Sequence, residues 1–318
     1  MSHPVANTVV TPAKPNYFKR LLSNMRRRPA LYLMSLPAFV LIIIFSYVPM
    51  AGVLMAFQDY SVEGGLFGSA WIGFENFKLF FNSYYAKNVI LNTFLISLYS
   101  LGVGFLMPII FSLLVNTIKV KWAGKFIKTV SYIPYFISTV IMVSLITDFF
   151  NVHTGIVNKA LGLFNIPPKD FLNEANVFYS LFVWTDLWQA MGWSSIIYLS
   201  VLGGVPQDLY DAAKLDGANK MKVLRFIELP QLYPTVSVLL VLALGSLLSV
   251  GFEKIFLLQT PLNSGRSEVI STYVYKLGVL AQDYGFGTAV GLFNSVVSFV
   301  LLVLANLLVR RISDYSLW

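Results

Sequence analysis

Charge is missing from this chain over stretches as long as a lipid bilayer is thick. Residues 29–58, 88–118, 129–147, 229–252 and 284–309 carry none, and residues 175–207 carry only Asp186. A helix rises about 1.5 Å per residue and needs about 20 apolar residues to cross a hydrocarbon core about 30 Å thick. Each window therefore accommodates one crossing. The expectation is an all-α integral membrane protein with six transmembrane helices, at about residues 31–57, 88–115, 129–149, 176–203, 233–254 and 286–309. Continuous apolar runs disfavour a transmembrane barrel, whose strands are about ten residues long and alternate. Composition agrees: 12% of the 318 residues are charged, against about 25% in soluble domains.

The remaining charges give an orientation. Six crossings put both tails on one side. Lys and Arg on that side number six before residue 29, four at residues 119–128, four at residues 214–225 and two at Arg310 and Arg311, sixteen in all. The opposite side holds Lys78, Lys87, Lys159, Lys169, Arg266 and Lys276, with Lys254 left at a helix end. Basic residues mark the cytoplasmic side, so both termini are expected in the cytoplasm. The net charge of +8 then reads as topology and adhesion to an anionic leaflet rather than as nucleic-acid binding.

The first window follows Arg26, Arg27 and Arg28 but is too long for a signal-peptide core, so it is expected to be retained as a span. Residues 1–28 form the cytoplasmic tail. Residues 1–16 have the composition of a disordered segment; residues 17–28 fit either a short amphipathic surface helix or a plain basic flank. Residues 29–318 are expected to form one integral membrane domain, with no internal repeat in the sequence.

Several chemistries lack their residues. No cysteine is present, and the two histidines, His3 and His153, have no ligand spacing around them, so no metal site is expected. Gly124-Lys125 resembles part of a phosphate-binding loop, but Lys119 and Phe126 stand where that motif needs Gly and Ser or Thr. An intramembrane enzyme has little material to work with. An ion-coupled secondary carrier predicts buried ionisable relays and repeats, whereas this chain offers one buried carboxylate.

The most organised polar segment is PQDLYDAAKLDGANKMKVLRFIELPQLYP, residues 206–234. Pro206 can start a helix, Asp208 and Asp211 suit its first turns, Lys214 its end, and Gly217 a left-handed terminus. A second short helix from about Ala218 is expected to run until Pro230 breaks it. Leu209, Ala212 and Ala213 share a small apolar face. Four basic residues (Lys214, Lys220, Lys222, Arg225) balance four acidic ones (Asp208, Asp211, Asp216, Glu228), which argues against a lipid-binding polybasic patch. The residues alone also fit an amphipathic loop resting on the membrane.

The pattern Asp211-Ala212-Ala213, three residues, Gly217, nine residues, Ile227, one residue, Leu229-Pro230 resembles the EAA signature of permease subunits in ABC importers, with Asp for the usual Glu. Leu215-Asp216-Gly217-Ala218 and Leu229-Pro230-x-Leu232-x-Pro234 are similar to the carbohydrate branch. Ser131 to Ser138, Gly155 to Asn158, Ala289 to Ser295 and Ser316-Leu317-Trp318 resemble the subgroup serving oligosaccharides cut from larger glycans. The resemblance covers about residues 26–318. It implies the type I importer fold and a loop over residues 206–232 that docks on a separate ATPase through Leu209, Asp211, Ala212, Ala213, Asp216, Gly217, Leu229 and Pro230. It also implies a second permease subunit in a heterodimer, two ATPase subunits, an extracytoplasmic solute-binding protein and an oligosaccharide substrate. This chain would then catalyse nothing and bind no cofactor of its own, with ATP and Mg used by the ATPase.

An ionisable group inside a span costs roughly 2.5–3.5 kcal/mol on insertion scales, so Asp186 should face a cavity or a partner. Asp186, Gln189 and Trp193 recur at spacings of three and four and share a helix face that Ser200 continues. Carboxylate, carboxamide and indole groups suit sugar hydroxyls and C–H faces. The resemblance puts substrate contacts on the helices flanking the loop, which adds Ser246; Asn294 in the last window can also reach a cavity. The alternative is that the polar residues only join helices and that Trp193 reflects the enrichment of tryptophan at membrane interfaces.

Overall fold

The structure, a computed structural model, describes residues 26–312. The expected disordered tail, most of the possible surface helix and the closing Ser316-Leu317-Trp318 lie outside the described residues. Two compact units divide at Val53 and Leu54.

Of the first unit, residues 26–53 are described. Helix α1 (Pro29–Ile42) passes into a π turn, Ile43–Tyr47, and then into a 3-10 run, Val48–Phe57. Pro37 and Pro49 each remove a backbone donor, which relaxes the regular α ladder. No side chain of α1 is buried, and Leu33, Met34 and Phe45 are each more than 70% exposed. Each such side chain gives up about 1.5–3 kcal/mol when left in water. Lipid removes that penalty.

The second unit opens with a small antiparallel ribbon, β1 (Gln58–Asp59) and β2 (Ala70–Trp71), paired Gln58 to Trp71 and Asp59 to Ala70 around α2 (Gly65–Gly68). Then come α3 (Glu75–Asn82), α4 (Ala86–Asn116), α5 (Lys121–Tyr132), α6 (Thr139–Phe149) and α7 (Ile156–Leu163). The chain continues through α8 (Phe178–Gly203), α9 (Gln207–Leu215), α10 (Lys220–Val223) and α11 (Leu229–Gly245). Last are α12 (Phe252–Leu258), α13 (Ser264–Ser267), α14 (Ile270–Val274) and α15 (Tyr284–Ile312).

Three apolar clusters hold this unit. The largest joins α4, α6, α8 and α12 through Ile96, Met142, Phe178, Phe182 and Ile255. A second joins α3, α4, α14 and α15 through Phe80, Val89, Ile270 and Val290, and a third joins α4, α8 and α11 through Leu113, Tyr198, Leu202 and Leu232. Helices approach closely where side chains are small. A Cβ on Gly192 of α8 would run into the backbone carbonyl of Ser131 on α5. Asn92 ties the N-terminal ends of α4 and α8 to the α13 region: its amide donates to the carbonyls of Gly265 and Glu268 at 3.1 and 2.9 Å and its oxygen accepts from the Tyr179 hydroxyl at 2.6 Å.

Among the described residues, four helices are both long and apolar enough to cross a membrane: Pro29–Phe57, Ala86–Asn116, Lys220–Gly245 and Tyr284–Arg311. A fifth crossing requires counting Lys121–Phe136 and Thr139–Phe149 together, across a 103° bend. The single helix expected over 129–149 is thus two pieces. Pro134 lacks a donor, Ile137 is extended, and Ser138 caps the new helix by accepting from the Ile141 N–H at 3.4 Å. The single helix expected over 233–254 also divides: α11 starts earlier, as part of Lys220–Gly245, and stops at Gly245, and residues 246–251 are irregular before α12. Helix α8 has 26 residues, about 39 Å of rise, but Asp186, Gln189 and its serines lower its apolarity.

Candidate functional site

Helix α9 starts where sequence chemistry places it. Pro206 is the residue before its first turn, Asp208 lies in that turn and Lys214 in the last. Gly217 has φ +70°, and the Ala218 N–H reaches back to the Ala213 carbonyl at 2.8 Å, a left-handed helix end. Open space surrounds the position of a Gly217 Cβ, so the constraint there is the backbone angle alone. Asn219 caps the following helix, accepting from the Lys222 N–H at 2.9 Å.

That helix does not end at Pro230. Lys220–Gly245 is continuous through a π turn, Leu224–Glu228, in which the Leu229 N–H bonds to the Leu224 carbonyl. Widening the turn by one residue relieves the clash between the proline ring and the preceding turn, so Pro230 is accommodated rather than helix-breaking.

The outer face of this region is bare. Leu209 is 43% exposed, Leu215 90%, Met221 67% and Phe226 70%. Asp211, Ala212, Asp216, Gly217 and Pro230 are exposed, and Ala213 is half-buried. Leu229 points the other way and packs on the cluster of Leu113, Tyr198, Leu202 and Leu232. Glu228, one of the four acids that balance the loop's basic residues, is buried at 4% exposure and accepts from the Asn116 amide at 2.7 Å. Burial, and then the Glu228 carboxylate, push the Tyr210 phenol up from its ordinary value, with Asn116 pulling it back. The Asn116–Glu228 bond thus ties α4 to the π turn, while Tyr210 of α9 lines a cavity of about 760 Å³ with both, its hydroxyl buried without a hydrogen-bond partner among the described residues. Sequence reading missed this cluster because its members are up to 112 residues apart.

A cavity of about 290 Å³ opens between α4, α8 and the irregular residues 246–251. Asp186 and Ser246 line it together, with Ser97, Ser100, Ser249 and Phe182. Asp186 is half-exposed and pairs with Lys254 at 3.3 Å, while Lys254 is 5% exposed and lies 5.3 Å from the Phe182 ring centre. Lys254 is therefore inside the bundle rather than at a solvated helix end. The hydroxyls of Ser97 and Ser100 are buried with no hydrogen-bond partner among the described residues. Their spacing of three within a charge-free window was the available signal.

The other candidates lie apart. Trp193 stacks on Tyr135 with centroids 4.6 Å apart and rings 3° from parallel, and with Ser200 it lines a second cavity of about 650 Å³. Gly104 and Phe105 border both cavities. The Gln189 amide is used structurally, donating to the Ile137 carbonyl at 3.0 Å beside the bend. Asn294 borders a separate cavity with Phe252 and Tyr275, its side-chain oxygen buried without a partner. No group of three or more potential metal ligands occurs among the described residues.

Comparison with known proteins decides the family. Residues 104–314 match the binding-protein-dependent transport system inner membrane component. The chain belongs to this family. It is 36% identical over 297 residues to protein LplB of Bacillus subtilis strain 168, covering 93% of each chain. It is likewise 36% identical over 300 residues to the polygalacturonan/rhamnogalacturonan transport system permease protein YteP of the same organism, covering 94% of each. Among solved structures, a chain of a bacterial ABC transporter involved in import of the acidic polysaccharide alginate superposes with TM-score 0.86 at 38% identity, over 92% of this chain and 99% of that one. A second, from the alginate transporter in complex with an alginate pentasaccharide-bound periplasmic protein, gives TM-score 0.87 at 37% identity, over 94% and 100%. The fold is that of a type I ABC importer permease.

Proposed function

We propose that this chain is the permease subunit of an ATP-driven importer that carries oligosaccharides across the bacterial inner membrane by alternating access, with a separate ATPase hydrolysing ATP with Mg. The supporting observation is α9: a charged helix bearing bare Leu209, closed by a left-handed Gly217 and set with Tyr210 beside the Asn116–Glu228 join at the span ends. A surface so ordered and so uncovered suits a docked partner. Leu209, Asp211, Ala212, Ala213, Asp216, Gly217 and Pro230 would meet the ATPase, while Leu229 would anchor the helix behind it.

In this reading the chain crosses six times with both termini cytoplasmic, α8 and the bent α5–α6 pair each counting as one span. It would pair with a second permease subunit and two ATPase subunits, and receive cargo from a solute-binding protein. The relatives' acidic polysaccharide substrates support a glycan cargo. Asp186, Ser246 and the unpartnered Ser97 and Ser100 hydroxyls would line the path, since a passing sugar hydroxyl can supply the partner they lack. Trp193 would act one cavity further along; Gln189 and Asn294 are the weaker members.

Reconstitution tests it. Oligosaccharide uptake is expected only when the chain is combined with its ATPase, second permease and binding protein. Uptake by the chain alone, driven by an ion gradient, would replace this reading with a secondary carrier.

A further inference from the structure

Two polar stretches share one side of the membrane in the proposed topology, and their charges are arranged differently. Residues 206–234 mix four basic with four acidic side chains. Between Glu75 and Asp148 there is no acidic residue at all, yet Lys119, Lys121, Lys125 and Lys128 fall within ten residues.

Helix α5 sorts these lysines. Lys121, Lys125 and Lys128 recur at spacings of four and three, and Tyr132 follows four later, so they share one row. With Asn116 and Thr129, that row lines a cavity of about 490 Å³. Among the described residues none of the three lysines has a carboxylate within ion-pair distance. The nearby acid, Glu228, is buried and engaged with the Asn116 amide at 2.7 Å. The cavity therefore presents three unmatched ammonium groups beside hydroxyl donors.

The adjoining row is apolar and bare. Trp122 is 74% exposed and Phe126 55%, their rings stacked at 5.6 Å and 12°, and Val130 is 47% exposed. Aromatic rings sit at headgroup level in membranes, and lysines lay their stems along apolar surface while the ammonium reaches the polar layer. A free anion would use the ammonium row and leave the stacked rings without a role. A phospholipid uses both.

We propose that the Lys121, Lys125 and Lys128 cavity holds the phosphate headgroup of an anionic phospholipid, with Trp122 and Phe126 lying against its acyl chains. The proposed orientation places this phospholipid in the inner leaflet, but the site itself does not require that the chain be an importer subunit.

The full chain in nanodiscs of phosphatidylcholine doped with phosphatidylglycerol, released for native mass spectrometry, reads out retained lipid directly. Phosphatidylglycerol should be retained over phosphatidylcholine. Each Lys→Gln change should weaken retention about fivefold, and K121Q/K125Q/K128Q about a hundredfold, whereas K121R/K125R/K128R should retain it. W122A/F126A should weaken retention, and K214Q/K222Q in the charge-balanced loop should leave it unchanged. Should the triple glutamine variant fail to fold, the single variants carry the same comparison. Equal retention by the wild type and the glutamine variants, or displacement of phosphatidylglycerol by inorganic phosphate, would overturn the proposal; failure of transport by the reconstituted complex would bear on the importer reading alone.

Discussion

Gly217 holds φ +70° with open space where a Cβ would stand, so replacing it tests backbone conformation without a steric clash inside the chain. A side chain in this region costs roughly 1–2 kcal/mol, enough to shift a local equilibrium roughly five- to thirtyfold. Gly217→Ala should lower substrate-stimulated ATP hydrolysis by the reconstituted complex within that range, and Gly217→Asn, a residue that tolerates the left-handed region, should lose less. Equal activity in all three would detach α9 geometry from coupling. Asp186 and Lys254 form a second residue-scale test. Lys254 is buried and Asp186 half-exposed, so Asp186→Asn strands a buried ammonium, at a cost of about 1–3 kcal/mol or more. Lys254→Met added to it should recover thermal stability, because the stranded charge is gone. A double variant no more stable than Asp186→Asn would mean the pair contributes no burial cost.

At the scale of elements, α4 is joined to the π turn by the Asn116–Glu228 bond, and Tyr210 of α9 lines the cavity beside it. Glu228→Gln keeps an oxygen for the Asn116 amide and should melt near the wild type in detergent. Glu228→Leu leaves the part-buried Asn116 amide without its acceptor, and should destabilise by roughly 1–3 kcal/mol; similar melting of the two variants would make that bond incidental. Here the sequence is a partial guide. Charge-free windows and the cap residues Pro206, Asp208 and Gly217 are local signals, and the helix starts and ends they set lie where those residues lead. Burial of Glu228 depends on a residue 112 positions away, which no window contains. The 103° bend and the break at residues 246–251 are hidden for another reason: both lie inside uncharged runs, so apolarity that announces a crossing also masks its interruptions. Asp186 and Ser246 meet because of that break, whereas Gln189, on the same helix face as Asp186, is drawn away by the Ile137 carbonyl that the bend exposes.

For the whole molecule, the number of crossings turns on α8 and on the bent α5–α6 pair, since the other four long helices are apolar without qualification. A polar face is affordable in lipid when it lines a cavity or meets another helix, and α8 turns Asp186 to a cavity and Gln189 to the bend beside α6. It should therefore cross. The chain has no cysteine, so single introduced thiols report sidedness against a silent background. Asn165→Cys, after α7, should react with a membrane-impermeant maleimide added outside oriented vesicles or spheroplasts, and Leu215→Cys, at the end of α9, only after permeabilisation. Those two positions flank α8, and equal labelling of both would remove it from the spans. Thr117→Cys and His153→Cys flank the bent pair in the same way. Protection of the first and labelling of the second would make the bend a kink within one crossing, whereas protection of both would make it re-entrant and bring the count to five, with the termini on opposite sides.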